Sequence, residues 1–119
     1  MSRILLAEDD DSLRAFLTRA LERAGYEVRA CADGDQALAA LQDGPYDLLL
    51  TDIVMPGADG IEVAREAAAR TPGLPIMFIT GFAAVALANG ERTPEGAKVL
   101  AKPVHLREIV SEVEKMVAA

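Results

Sequence analysis

The chain predicts an α/β fold: a doubly wound parallel sheet of five strands alternating with five helices. Three observations carry that expectation. Short apolar runs of strand length recur along the chain, each followed by a segment with helical spacing. Two of them, Ile4-Leu5-Leu6-Ala7 and Leu48-Leu49-Leu50-Thr51, are apolar without alternation, as in parallel strands covered on both faces. Three runs also end on charge. Glu8, Asp9, Asp10 and Asp11 follow the first, Asp52 follows the second, and Lys102 follows Ala97-Lys98-Val99-Leu100-Ala101. In a parallel sheet such charges converge at one edge, where open α/β folds place their sites.

Each element has its own justification. Arg3 to Glu8 reads as a buried strand. Leu13, Phe16, Leu17, Ala20, Leu21 and Ala24 follow helical spacing, with Asp10 or Asp11 to cap the start and Gly25 the end. Tyr26 to Ala30 is a second short strand. Asp33 opens a helix through Ala37, Leu38 and Leu41 that Gly44-Pro45 closes. Tyr46 to Thr51 is the central strand. Pro56-Gly57 and Asp59-Gly60 punctuate a loop, and a helix runs from Ile61 to Arg70. Leu74 to Thr80 is the fourth strand, Phe82 to Asn89 a short apolar helix candidate, and Ala97 to Ala101 the fifth strand. The last helix carries Leu106, Ile109, Val110, Val113 and Val117 on one face. Right-handed crossovers place helices on both faces of the sheet.

Composition narrows the function. The 119 residues make one ordinary domain over 1–119, with no linker to an effector domain. Half the residues are hydrophobic, few are aromatic and none is Trp, so the core is aliphatic. A net charge of −7 argues against nucleic acid, whose phosphates need clustered Lys and Arg. A lone cysteine, Cys31, excludes a disulfide framework within the chain and suits a reducing cytosol; it is expected to be half-buried and inert. No signal peptide is visible. The longest apolar stretch, Met77 to Ala88, is interrupted by Thr80 and Gly81 and is far short of the roughly 20 residues of a membrane helix.

Asp9 and Asp52 end neighbouring strands in this reading. Two hard carboxylates with water suit Mg²⁺. Glu8 can reach the metal through water, and a backbone carbonyl after Asp52, near Val54, can fill another position. Beside such a metal one carboxylate can attack a phosphoryl group, because the cation neutralises charge on the transferring oxygens. Asp52 is the nucleophile of choice, since it stands alone while the other acids cluster. Lys102 offers a mobile point charge for a phosphoryl oxygen, and Thr80 a hydroxyl donor. Each residue also has an ordinary explanation: a helix cap, a loop acid, a solvated lysine, a strand threonine. Their coincidence at successive strand ends favours the site.

In this order the residues resemble the CheY-like receiver domain of two-component response regulators, over the whole chain. The carriers are Glu8-Asp9, Thr51-Asp52-Ile53-Val54-Met55-Pro56 with Asp59-Gly60, Thr80-Gly81 and Lys102-Pro103. The resemblance implies a flavodoxin-like three-layer sandwich with strand order 2-1-3-4-5. It implies that Asp52 accepts a phosphoryl group from a phosphohistidine, and that Glu8, Asp9, Asp52 and the Val54 carbonyl serve Mg²⁺. It further implies that Thr80 and Lys102 contact the phosphoryl group and that the Lys102–Pro103 peptide is cis. One position departs from the family. Receivers usually carry an aromatic ring or His three residues before the lysine, and here that position is Val99, stiff and small. Phe82 is the candidate to report the change in its place.

Two stretches, Met77 to Leu87 and Lys98 to Arg107, are similar to those of stand-alone cell-cycle receivers of alphaproteobacteria. That likeness implies a histidine phosphotransferase or histidine kinase as phosphodonor. It also implies an unphosphorylated form that primes the ClpXP protease, through ClpX, to degrade chosen substrates, in a cytoplasmic protein recruited to a cell pole by a partner. Phe82, Val85 and Leu87 are a partner site if exposed and ordinary core if buried. Leu13, Phe16 and Val104 lie near the pocket mouth, where a phosphotransferase helix would dock, although Phe16 is expected in the core. Ala118 and Ala119 end the chain either as a degron or as a frayed helix end. Two other functions compete: a phosphate shuttle or sink between phosphotransferases, and an aspartate-nucleophile phosphatase. The phosphatase needs a second Asp two residues after the nucleophile, where Val54 stands, so slow autodephosphorylation is the only turnover expected.

Overall fold

A computed structural model of the chain describes residues 2–81, 96–103 and 105–118. Five parallel strands form one sheet: β1 (Arg3–Ala7), β2 (Glu27–Cys31), β3 (Leu48–Asp52), β4 (Ile76–Thr80) and β5 (Lys98–Ala101), in the spatial order β2-β1-β3-β4-β5. Four helices are described: α1 (Asp11–Arg23), α2 (Gly34–Ala40), α3 (Gly60–Arg70) and α4 (Leu106–Ala118). The doubly wound sheet, its order and its alternation with helices are as the sequence predicts. The helix expected over Phe82 to Asn89 lies outside the described residues.

The two-residue period of a strand explains the layers. Ile4 and Leu6, Leu48 and Leu50, and Met77 and Ile79 point to one face, where they pack with Leu17 and Leu21 of α1 and Ile109 and Val113 of α4. Leu5 and Ala7, Leu49, and Ile76 and Phe78 point to the other, against Ala37 and Ala40 of α2 and Ile61, Ala64 and Ala67 of α3. Both faces are buried, so the interiors of β1, β3 and β4 are apolar and their polar residues stand at strand ends. Val99 is half-buried beside the second cluster, in register with Phe78.

Asx caps start three helices, each side chain accepting an amide hydrogen bond: Asp10 from Leu13, Asp33 from Gln36 and Asp59 from Glu62. Asp10, not Asp11, is thus the α1 cap. Gly25, with φ of 100°, turns the chain after α1. The central strand starts later than Tyr46. Asp47 is held instead by Arg3, whose amide donates to its carboxylate at 2.7 Å and whose carbonyl accepts from its amide. The Gly44–Pro45 peptide just upstream is cis, a feature with no sequence signal beyond proline itself. Two further expectations are corrected. Cys31 is fully buried rather than half-buried. Phe16 is 55% exposed rather than core, because the buried stripe of α1 runs through Leu17, Ala20 and Leu21.

Candidate functional site

Strand register brings the charges together. Ala7 pairs with Thr51, Asp52 with Ile79 and Thr80 with Ala101, so the last residues of β1, β3, β4 and β5 stand side by side at one edge of the sheet. Glu8 leaves β1 and Asp52 ends β3; both are buried, while Asp9 is exposed. One carboxylate oxygen from each of Glu8, Asp9 and Asp52 lies within 4.8 Å of the other two. Three acids this close repel unless a cation sits among them.

Lys102 supplies positive charge from the end of β5. Its Nζ donates to Asp52 Oδ2 at 2.8 Å and lies 2.9 Å from Glu8 Oε1. The second approach is an ion pair without the alignment of a hydrogen bond, so Glu8 Oε1 is a buried acceptor with no aligned donor. Glu8 Oε2 accepts from the Asp10 amide at 3.0 Å. Asp52 Oδ1 accepts from the Ile53 amide at 2.7 Å. The backbone keeps Lys102 in place: its amide donates to the Thr80 carbonyl at 2.7 Å, and the Lys102–Pro103 peptide is cis. Thr80 is buried at the end of β4.

The environment shifts two of these groups. Burial pushes the Glu8 carboxyl above its ordinary range, the Lys102 ammonium and the Asp10 amide oppose that, and the nearby Asp52 charge adds to it. Burial alone would lower Lys102, but the Asp52 hydrogen bond and the nearby charges of Asp52 and Glu8 together raise it. The lysine is therefore a firmly charged counterion to two carboxylates.

The cluster suits a hard divalent cation. Mg²⁺ takes oxygen donors and keeps several waters. Two buried carboxylates and one exposed one offer that donor set, and Glu8 Oε1 accepts no aligned hydrogen bond.

The response regulator receiver domain family model matches residues 4–114. The chain belongs to that family. The receiver is 59% identical over 119 residues to the response regulator receiver protein CpdR of Brucella abortus (strain 2308), covering 100% of this chain and 99% of that protein. It is 35% identical over 117 residues to the sensor kinase CckA of the same organism, matching 95% of this receiver but 12% of that kinase. Among solved structures, a response regulator receiver protein from Sinorhizobium medicae WSM419 superposes with a TM-score of 0.91 at 32% identity, covering 99% and 95% of the two chains. The receiver domain of the hybrid histidine kinase CckA does so with a TM-score of 0.84 at 33% identity, covering 98% and 99%.

The receiver fold thus gathers Glu8, Asp9, Asp52, Thr80 and Lys102 at one edge. Val54, whose carbonyl the sequence proposes as a ligand, is exposed in the loop after β3. Leu13 is half-buried on the first turn of α1. Phe82, Val85, Leu87, Val104 and Ala119 lie outside the described residues; Ala118 is exposed at the end of α4. Sequence reasoning missed Arg14. Its guanidinium donates to the Glu8 carbonyl at 2.9 Å and pairs with Asp11 at 2.7 Å. Its signal was a lone base one helical turn after the Asp10 cap. Among the described residues no helix is long and apolar enough to cross a membrane.

Proposed function

We propose that this receiver is a single-domain response regulator that takes a phosphoryl group on Asp52 from a phosphohistidine. The transfer forms an oxygen–phosphorus bond at the Asp52 carboxylate and breaks the phosphorus–nitrogen bond of the donor. The departing imidazole keeps the electron pair and takes up a proton. Glu8, Asp9, Asp52 and the Val54 carbonyl would hold Mg²⁺, which supplies neutralising charge for the phosphoryl oxygens. Lys102, now paired with Asp52, turns to a phosphoryl oxygen, and the Thr80 hydroxyl donates to another. The single observation that carries this reading is the Lys102–Asp52 pair set among three converging carboxylates.

Phosphorylation adds roughly 1.5 to 2 negative charges. The loop after β3 then moves between two arrangements, and the partner surface changes with it. The reading extends, on the likeness to CpdR, to an adaptor whose unphosphorylated form binds ClpX and promotes proteolysis of chosen proteins by ClpXP. Work in the cytoplasm and recruitment to a cell pole through a partner belong to the same reading. The donor would be a histidine phosphotransferase or kinase meeting Leu13, Phe16 and Val104. A second reading, a phosphate shuttle, draws on the likeness to the receiver of CckA, a segment within a kinase.

The deciding experiment is binding of the purified protein to ClpX with Mg²⁺ alone and with Mg²⁺ plus beryllofluoride, a mimic of phospho-Asp52. Binding only without beryllofluoride supports an adaptor switched off by phosphorylation. Binding in neither state removes the adaptor and leaves the shuttle or another partner.

A further inference from the structure

The loop 53–59 between β3 and α3 carries the Val54 carbonyl beside Asp52, and it has few anchors of its own. At its ends, Gly60 donates from its amide to the Ile53 carbonyl at 2.7 Å, and Asp59 caps α3. Its middle is tied to another element, the first turn of α2. The Gly34 amide donates to the Pro56 carbonyl at 3.4 Å, and the Ala58 amide donates to Asp35 Oδ1 at 3.2 Å. The two bonds run in opposite directions between the same two segments. The first uses a helix N-terminal amide, which has no partner within its own helix.

The glycines show how close this approach is. A Cβ at Gly34 would drive into the Ala58 carbonyl, and one at Gly57 would drive into the Asp35 carboxylate. Gly57 also sits at φ of 74°, where side chains are strained. Met55 and Ala58 are buried while Val54, Pro56 and Gly57 are exposed, so the loop is pinned on one side only. Asp35 itself is exposed and needs no partner for solvation, yet it is spent on a loop amide 23 residues away.

We infer that Asp35 is a positioning residue for the cation site: by accepting from Ala58 it fixes the loop that carries the Val54 carbonyl. It touches neither metal nor phosphoryl group. The inference rests on the proposed Mg²⁺ site, and it assigns α2, which contributes no site residue, a part in building that site. A helix-capping role is the competing explanation, since an acid in the first turn of a helix is stabilising anyway. The two differ in what they move. Capping affects unfolding alone; positioning affects metal affinity in protein that remains folded.

The test is Mg²⁺ titration of the full chain by isothermal calorimetry, with hydrogen exchange of the Ala58 amide followed by NMR. Wild type, Asp35→Ala and Asp35→Asn are compared at a temperature where circular dichroism shows all three folded. Asn keeps a side-chain oxygen that can accept from Ala58 but loses the charge. The expected result is a dissociation constant about 10-fold higher for Asp35→Ala, faster exchange at Ala58, and near wild-type values for Asp35→Asn. Equal Mg²⁺ affinity in wild type and Asp35→Ala would overturn the inference and leave the metal site standing. Equal impairment in both variants would also overturn it, since charge rather than the hydrogen bond would then be responsible. Wild type that binds no Mg²⁺ would overturn the metal site itself and the inference with it.

Discussion

Lys102 holds Asp52 at 2.8 Å across 50 residues of sequence, and the same ammonium stands 2.9 Å from Glu8. The lysine thus neutralises the acids that a cation would also neutralise. Replacing it with Met leaves two buried like charges without a counterion. Breaking a fully buried pair costs about 3–5 kcal/mol; the Lys102 side chain is 26% exposed, so the expected loss is about 1–3 kcal/mol. Urea unfolding of Lys102→Met without Mg²⁺ checks this. Added Mg²⁺ should stabilise the variant more than the wild type, because it takes over the missing charge. Equal gains in both would show that the lysine and the cation do not share the carboxylates.

Asp52→Asn separates folding from function. The side-chain oxygen can still accept from the Ile53 amide, and the site loses one of its mutually repelling charges. The variant should fold with an unchanged far-ultraviolet circular dichroism spectrum and take up no phosphoryl group from acetyl phosphate. Mass spectrometry of the intact protein reads the outcome. A phosphorylated variant would move the acceptor elsewhere.

Gly60 faces a second close approach. A Cβ there would drive into the backbone carbonyl of Asp52 and crowd Ile53. Gly60→Ala should cost about 1–3 kcal/mol, the usual range for overpacking, and should slow phosphorylation because the displaced atoms belong to the acceptor residue. Thermal melts and acetyl phosphate kinetics give the two readouts, and an unaltered rate would detach the glycine from the site.

Alkaline pH tests the buried phenol. Burial raises the Tyr46 pKa, against the pull of Arg3, whose guanidinium lies 4.6 Å from the ring centroid, and of Arg29. The hydroxyl donates to the Ala40 carbonyl at 2.7 Å. A raised pKa means that the folded state holds the proton more tightly than the unfolded chain. Its stabilising contribution is whole below pH 10.0, the unfolded value, and is lost as pH rises through the folded value. Cys31 and Tyr26 are also raised, chiefly by burial, and act in the same direction above their unfolded values of 9.0 and 10.0. Tyr46→Phe should lower stability by about 0.5–1.5 kcal/mol at pH 7. It should also flatten, without abolishing, the fall in the urea midpoint as pH rises above 10.0. An unchanged slope would place the phenol's titration outside folding.

The fold was legible because its continuous apolar strand runs and capped helices are written locally. Asp10, Asp33 and Asp59 each stand before an apolar helical pattern, and β1, β3 and β4 are apolar on both faces. The site was legible because each of its charges ends or soon follows a strand. What escaped depends on distance. Asp35 reaches Ala58 and Arg14 reaches the Glu8 carbonyl through tertiary approaches, and an exposed acid or base on a helix looks the same in sequence whether or not it does so. Phe16 was misplaced for a related reason. It fits the apolar period of α1 as well as Leu17 does, and only the rotation of the helix against the sheet decides which of the two is covered.

That exposed ring makes the last prediction. Phe16 lies with Arg19 and Arg23 of α1, and with Leu106, Arg107 and Val110 of α4, along a groove of about 500 Å³. Exposed positions contribute little to folding, so Phe16→Ala should change stability by no more than about 0.5 kcal/mol. A ring that served only the fold would do nothing else. A ring that meets a phosphotransferase would, when lost, slow phosphorylation by a protein phosphodonor several-fold while leaving acetyl phosphate kinetics intact. The small donor needs the acid pocket alone, so the ratio of the two rates isolates docking from chemistry. Equal slowing with both donors would trace the effect to the pocket, and slowing with neither would remove α1 from the docking surface.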